Sequence, residues 1–204
     1  MNNFDLVVIG AHHGFWLENE IKKYSNKIIL IEPVEYNFNQ LKDRFKNFKN
    51  IIFLNAAIGE KNEFKNFYFI EENSISKLKK HWASGIGSFS KEHILKHKTK
   101  RFQVTDSDIK CVNIKTISFD DLVNKYNIKF INKLMIDTEG FDYKIIKSIN
   151  FQNIEINEIL FEKKHLSSTF EVGNKLDEIK DFFAKKNYKL FDLDSENMLA
   201  KKIG

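Results

Sequence analysis

Two apolar runs, each stopped by a polar group, constrain this chain more than anything else in it. Val7-Val8-Ile9 runs into Gly10-Ala11-His12-His13-Gly14, and Ile28-Ile29-Leu30-Ile31 runs into Glu32-Pro33. Gly10 and Glu32 are 22 positions apart, the length of one strand–turn–helix–strand unit. Unbroken apolar runs of this kind belong to strands covered on both faces, as in a parallel sheet. The glycine turn lets backbone approach a ligand, and an acid closing the second strand can accept from both hydroxyls of a ribose. The pair predicts a Rossmann-like half that holds an adenosine-bearing cofactor.

The same rhythm continues along the chain. Strands are predicted at Asp5–Ile9, Ile28–Glu32, Ile51–Asn55, Asn66–Ile70, Cys111–Thr116, Lys133–Asp137, Glu158–Phe161, Tyr188–Asp192 and Asn197–Lys201. Helical spacing of apolar residues predicts helices over Phe15–Tyr24, Tyr36–Phe48, Phe141–Ile149 and Leu176–Lys186, and a further helix opens at a Ser118/Asp121 capping box. Strands alternating with helices give an α/β doubly wound sheet. The last two strands, joined by Leu193-Asp194-Ser195-Glu196, read as a hairpin with an antiparallel edge. At 204 residues and 42% hydrophobic content the chain suits a single domain, 1–204, with one elaboration. That elaboration is a polar, lid-like insertion at about 71–110, with a short helix expected at Lys91–His97.

The turn discriminates between cofactors. A dinucleotide site wants G-x-G-x-x-G, and the second and third glycine positions here are His12 and Phe15. No G-x-x-x-x-G-K-[ST] occurs either, which excludes a P-loop. A looser turn opening a helix suits a small anionic group, such as the amino-acid carboxylate of S-adenosylmethionine, against the first helical N–H groups. Glu32 then takes the ribose, Pro33 bends the chain away, and Asn55-Ala56-Ala57 supplies a polar group and small residues where an adenine would lie. Asp137 ends the strand Lys133–Asp137, in the crevice where open α/β sheets bind ligands.

These stations, in this order, resemble the FkbM-type S-adenosylmethionine-dependent methyltransferases. Gly10-Ala11-His12-His13-Gly14 is similar to that family's G-A-N-x-G turn, Glu32-Pro33 to its E-P, and Asn55-Ala56-Ala57-Ile58-Gly59 to its N-x-A-[VI]-G. Val112–Leu122 resembles its strand and T-[IL]-[DS]-x-L lead-in. Asp137-Thr138-Glu139-Gly140-Phe141-Asp142 resembles D-x-E-G-x-[ED], and Phe161-Glu162 its F-E. The resemblance runs from about Asp5 to Leu166. It implies a Rossmann-like class I methyltransferase: a mainly parallel seven-stranded sheet, an antiparallel C-terminal edge and helices on both faces. It also implies methyl transfer to a hydroxyl of a saccharide or other small metabolite. Two positions depart from the family. Val8 stands where an acid precedes the turn, and His12 replaces the asparagine.

On this reading Gly10, Ala11, His12, Gly14, Glu32, Pro33, Asn55, Ala56, Ala57 and Asp137 hold S-adenosylmethionine. Asp137 and Glu139, two apart at a strand end, are the candidates for proton transfer; the alternative for Asp137 is a cap of the helix Phe141–Ile149, and Glu139 reads equally as functional or structural. His81, Trp82 and Ser88 in the insertion, with Glu162, are expected to meet the acceptor. His165 reads as a surface turn. No metal is assigned, because His12 and His13 are adjacent and no matching Cys/His/carboxylate spacing was found after them. The single cysteine, Cys111, reads as a small buried strand residue, which fits a cytoplasmic protein. No signal pattern or membrane span is expected. The net charge of +5 is spread along the chain and forms no nucleic-acid footprint. Two alternatives stay open: a nucleic-acid-binding module using the basic run Lys91–Arg101, and a degenerate methyltransferase fold kept as a binding subunit, suggested by Val8.

Overall fold

The computed structural model describes residues 2–166 and 173–203. In chain order its elements are β1 (Asn2–Ile9), α1 (Glu18–Ile21), β2 (Lys27–Ile31), α2 (Glu35–Phe45), β3 (Ile51–Leu54), β4 (Ala57–Gly59) and β5 (Phe64–Ile70). There follow α3 (Glu72–Leu78), β6 (Gly87–Ser88), α4 (Lys91–Lys96), β7 (Ile109–Ser118), α5 (Phe119–Lys125) and β8 (Ile128–Ile136). The chain then continues through α6 (Asp142–Ser148), β9 (Glu155–Glu162), α7 (Gly173–Ala184), β10 (Tyr188–Asp192) and β11 (Asn197–Lys202).

Seven strands form the main sheet in the order β10-β11-β9-β8-β1-β2-β3. From β9 to β3 every pairing is parallel, and β11 runs antiparallel to both β9 and β10, which is the expected hairpin edge. The apolar runs are explained by alternation. Val7 and Ile9 of β1 join Ile29, Ile31, Leu134 and Ile136 in a core shared with α5, α6 and α7, whereas Leu6 and Val8 pack with Leu17, Ile21, Leu30, Leu41 and Phe45 of the opposite face. Both faces are covered, so no strand position needs to be polar. Val8 is fully buried in the second of these cores, under α1 and α2.

The strand order reverses at β1, which lies between β2 and β8. Ligand crevices of open α/β sheets form at such a switch point. Three backbone bonds tie the strand ends together there: Asp137 N–H to Ile9 O at 3.0 Å, Gly10 N–H to Ile31 O at 3.0 Å, and Glu32 N–H to Leu54 O at 3.0 Å.

The structure departs from the sequence expectation in the middle of the chain. A second, four-stranded sheet, β4-β7-β5-β6, stands beside the first. The insertion packs on its edge through β6 and carries its own apolar cluster of Ile70, Leu78, Ala83, Ile86, Ile94, Phe102 and Val104. The expected helix is present as α4, capped by Ser90 accepting from His93 N–H. Helix α3 and the short strands β4 and β6 had no signal: α3 is mostly polar, and the strands are only two or three residues long. The expected first helix begins as a 3₁₀ turn at Phe15–Leu17, behind a left-handed Gly14. Cys111 is exposed rather than buried, because β7 leaves much of one side open to solvent. Among the described residues, no helix is long and apolar enough to cross a membrane.

Candidate active site

A cavity of about 220 Å³ lies over the carboxyl ends of β1, β2 and β8. Gly10, Glu32, Pro33, Ala56, Ala57 and Asp137 line it from the main sheet and the adjoining start of the second one. His12, Trp16, Trp82, Gly85, Gly87 and Glu139 complete it from the turns and the insertion. Nine residues expected at a site therefore share one cavity: Gly10, His12, Glu32, Pro33, Ala56, Ala57, Trp82, Asp137 and Glu139.

Glu32 is buried at the end of β2. One carboxylate oxygen accepts from His12 N–H and the other from Val34 N–H, both at 2.9 Å. Burial pushes its carboxyl up to about 7, against the lowering effect of those two N–H groups. The Asn37 side chain lowers it as well.

The glycine turn is shaped by packing. Gly10 has φ +86°, and a Cβ there would lie 1.7 Å from the Asp137 carbonyl oxygen. Gly14 has φ +76°, and its Cβ would meet Phe45 and Leu41 of α2 at 2.5 and 2.6 Å. Gly14 thus seats the turn on α2 and does not line the cavity, and Ala11 is fully buried with its N–H on Ile31 O. Asn55 also points elsewhere. Its amide donates to Glu32 O at 2.9 Å and Pro33 O at 3.1 Å, bracing the turn after β2.

His12 spans from the turn to the insertion. Its backbone is left-handed at φ +53°. Its Nε2 is 2.6 Å from Ser84 Oγ, whose hydroxyl donates to His81 O at 2.9 Å. Ser84 therefore accepts from His12, which assigns the proton to Nε2. Burial, then the neighbouring His13, lowers His12 to about 3, so the ring stays neutral. Asn37 donates to Ser84 O at 2.7 Å and Tyr36 to Ile70 O at 2.9 Å. The stretch expected as a lid is thus anchored to α2 and to the glycine turn. Of its residues, Trp82 lines the cavity and packs 4.7 Å from Phe102, His81 is exposed, and buried Ser88 donates to Glu139 O at 3.1 Å.

An acidic group gathers at the end of β8. Asp137 opens onto the cavity, and its carboxyl is raised well above the usual range by the surrounding protein, then by Glu139, Asp142, Glu162 and Glu32. Asp142 is fully buried and accepts from Thr138 N–H at 3.1 Å, Thr138 Oγ1 at 2.6 Å and Glu162 N–H at 3.3 Å. It holds the turn that carries Glu139, which has φ +50°. Burial, outweighing those bonds, lifts Asp142 to about 7.

Glu139 Oε2 lies 3.1 Å from His93 Nε2 and 3.4 Å from His97 Nε2, and His165 stands beside them with its Nδ1 2.8 Å from Glu162 Oε1. Burial raises the Glu139 carboxyl, and the His93 and His97 hydrogen bonds overcome that and hold it well below the usual range. His165 is buried, not on a surface turn. The signal for this group was present in the chain: His93 and His97 are four apart, which places both on one helix face. It was hidden inside a run read for its lysines. Trp16 was likewise expected only as part of a helix, yet it lines the cavity.

A family model described as the methyltransferase FkbM domain matches residues 9–190. No curated protein matches the sequence. Among solved structures, SMU.1697c from Streptococcus mutans in complex with SAH is similar over 100% of this chain and 91% of its own, at 9% identity and TM-score 0.48. Precorrin-6y C5,15-methyltransferase from Geobacter metallireducens GS-15 is similar over 100% of this chain and 82% of its own, at 10% identity and TM-score 0.46. Aeropyrum pernix fibrillarin, in complex with natively bound S-adenosyl-L-methionine, is similar over 97% of this chain and 66% of its own, at 10% identity and TM-score 0.47.

Proposed function

We propose, from the premise that this chain belongs to the FkbM methyltransferase family, as its match over residues 9–190 shows, that it methylates a hydroxyl oxygen of a saccharide or other small metabolite. The chain is a Rossmann-like class I methyltransferase, and S-adenosylmethionine is its methyl donor. When bound, that cofactor supplies a methyl group activated on a sulfonium sulfur.

The residues present fit it. The observation that carries the reading is the buried Glu32 carboxylate, which opens onto the same cavity as Asp137. Its oxygens would take the ribose hydroxyls. Ala56, Ala57 and Ile58, with Phe67 and Phe89 opposite, offer an apolar slot for adenine. Gly10 and His12 would flank the amino-acid end. The neutral His12 ring adds no charge there, and its Nε2–H already donates to Ser84.

Asp137 is assigned to the acceptor's proton. A carboxyl raised well above its usual range suits a group that must accept a proton and later release it. Glu139, held ionised by its histidines, sets the charge beside it. Alignment of nucleophile and methyl group supplies the larger part of the acceleration, about 7–11 kcal/mol in well-oriented systems. Two indoles support a saccharide acceptor, since Trp16 and Trp82 both line the cavity while 42% and 41% exposed. Their flat faces suit the C–H surface of a sugar ring. The segment 71–110 is assigned as the wall that selects the acceptor. A reducing, cytoplasmic setting is consistent with the lone exposed Cys111.

The test is methyl transfer from labelled S-adenosylmethionine to a panel of saccharides and small hydroxylated metabolites, with RNA and DNA as competitors. Label on a hydroxyl of a small acceptor is the expected result. Label confined to nucleic acid, with affinity falling steeply as salt rises, overturns the acceptor assignment. Cofactor binding in calorimetry without transfer to any acceptor points to a binding subunit.

A further inference from the structure

Glu139 faces the cavity on one side and three histidines on the other. His93 comes from α4, His97 caps that helix, Glu139 lies in the turn between β8 and α6, and His165 follows β9. We infer that His93, His97, Glu139 and His165 form a four-coordinate site for a divalent transition-metal ion of the zinc class, and that this ion pins the insertion to the main sheet.

Geometry carries the inference. The ligand atoms of all four side chains lie within 4.8 Å of one another. Three of them form a tight triangle: His93 Nε2 to Glu139 Oε2 at 3.1 Å, His93 Nε2 to His97 Nε2 at 3.2 Å, and His97 Nε2 to Glu139 Oε2 at 3.4 Å. An imidazole nitrogen has one in-plane direction, either a lone pair or an N–H. It cannot serve two edges of such a triangle with good hydrogen bonds, but it can point at the common centre. Zinc binds nitrogen and carboxylate oxygen at about 2.0–2.2 Å, so a tetrahedral site has ligand–ligand edges of roughly 3.3–3.5 Å. The three observed edges are within about 0.3 Å of that range.

The surroundings agree. The fourth side chain, His165, turns its Nδ1 toward the group, 3.6 Å from Glu139 Oε2, and Glu162 Oε1 stands 2.8 Å from the same nitrogen. Three imidazoles with one carboxylate suit zinc and its first-row neighbours, whereas magnesium and calcium take oxygen. Four protein ligands leave no open position, the pattern of a structural site. The ion would thus join α4 to the ends of β8 and β9 and hold the cavity wall that contains Trp82. This inference does not depend on which acceptor is methylated.

The experiment uses the full chain, stripped with a chelator and then titrated with cobalt(II). One equivalent should bind and give the intense visible bands of four-coordinate cobalt, and zinc should displace it and raise the melting temperature. Loss of an outer partner already costs ~10–100-fold in metal affinity. H97A and H165A, each replacing a ligand, should therefore weaken zinc binding by at least about 100-fold, while H81A at an exposed histidine should not change it. The wild-type titration needs no variant to fold, and circular dichroism checks each variant. Absence of the visible bands in the wild type overturns the inference, as does unchanged zinc affinity in folded H97A and H165A.

Discussion

The two sides of the cavity are assembled differently. On the β1–β2 side the groups sit at strand ends and are held by backbone: Glu32 accepts from Val34 N–H and His12 N–H, and Gly10 is packed against Asp137 O. On the β8 side one residue of the turn, Glu139, meets histidines delivered by α4 and by the chain after β9, while Ser88 of the insertion donates to its carbonyl. The first side is a property of motifs, the second a property of convergence. Motif-built groups should fail sharply when one atom is added, and converged groups should fail by loosening.

The largest expected effect tests the first half of that contrast. Gly10→Ala places a Cβ on the Asp137 carbonyl at a positive φ, which costs roughly 1–2 kcal/mol for backbone alone. Separation of the β1 and β8 ends adds more, so urea unfolding should show a loss of at least about 3 kcal/mol. A loss below about 1 kcal/mol would mean the strand ends are not locked there.

Next is Glu32→Gln. Hydrogen bonds to a charged group are worth about 1.5–3 kcal/mol, so affinity for S-adenosylhomocysteine should fall about 10- to 150-fold in calorimetry. A change under twofold removes Glu32 from the cofactor site. The same carboxyl sharpens the point through pH. Below its value of about 7 it gains a proton and loses acceptor capacity, so wild-type affinity should weaken toward tenfold per unit as pH falls from about 7, and E32Q should show no such slope. Stability moves the opposite way. The folded carboxyl keeps its proton above its ordinary 4.5, so it disfavours folding progressively as pH rises from about 4.5 to about 7.

Smaller again is Asn37→Ala. It removes the buried bond to Ser84 O and should cost about 1 kcal/mol, with faster amide exchange in the insertion than in β1 or β8. Equal exchange in both would show that the wall is not a separately anchored unit. Smallest is Cys111→Ser, expected within about 0.5 kcal/mol of wild type, because the side chain is exposed on β7.

Legibility followed the same division. The main sheet could be read because Val7-Val8-Ile9, Ile28–Ile31 and Leu134-Met135-Ile136 are apolar on both faces and end at polar stops. The hairpin of β10 and β11 was legible from its turn residues. The second sheet was not, since β4 and β6 are too short to show a period and β7 alternates between open and covered sides. Asn55 was read as a ligand because its position matches a motif, and only its bonds to Glu32 O and Pro33 O reveal a bracing role. His165 was read as surface because nothing within a few residues of it tells how deeply the chain after β9 is covered.

The sequence by itself determined the strands, their burial on two faces, the turn after β1 and the acid after β2. Those depend on periodicity and on hydrogen bonds between near neighbours, which act over one strand or turn. Only the tertiary structure decided that His93, His97, Glu139 and His165 meet, and that the insertion is anchored by His12, Tyr36 and Asn37 through Ser84. Side chains far apart along the chain converge only after the cores beneath them have set the relative positions of their elements, and no local pattern encodes that distance.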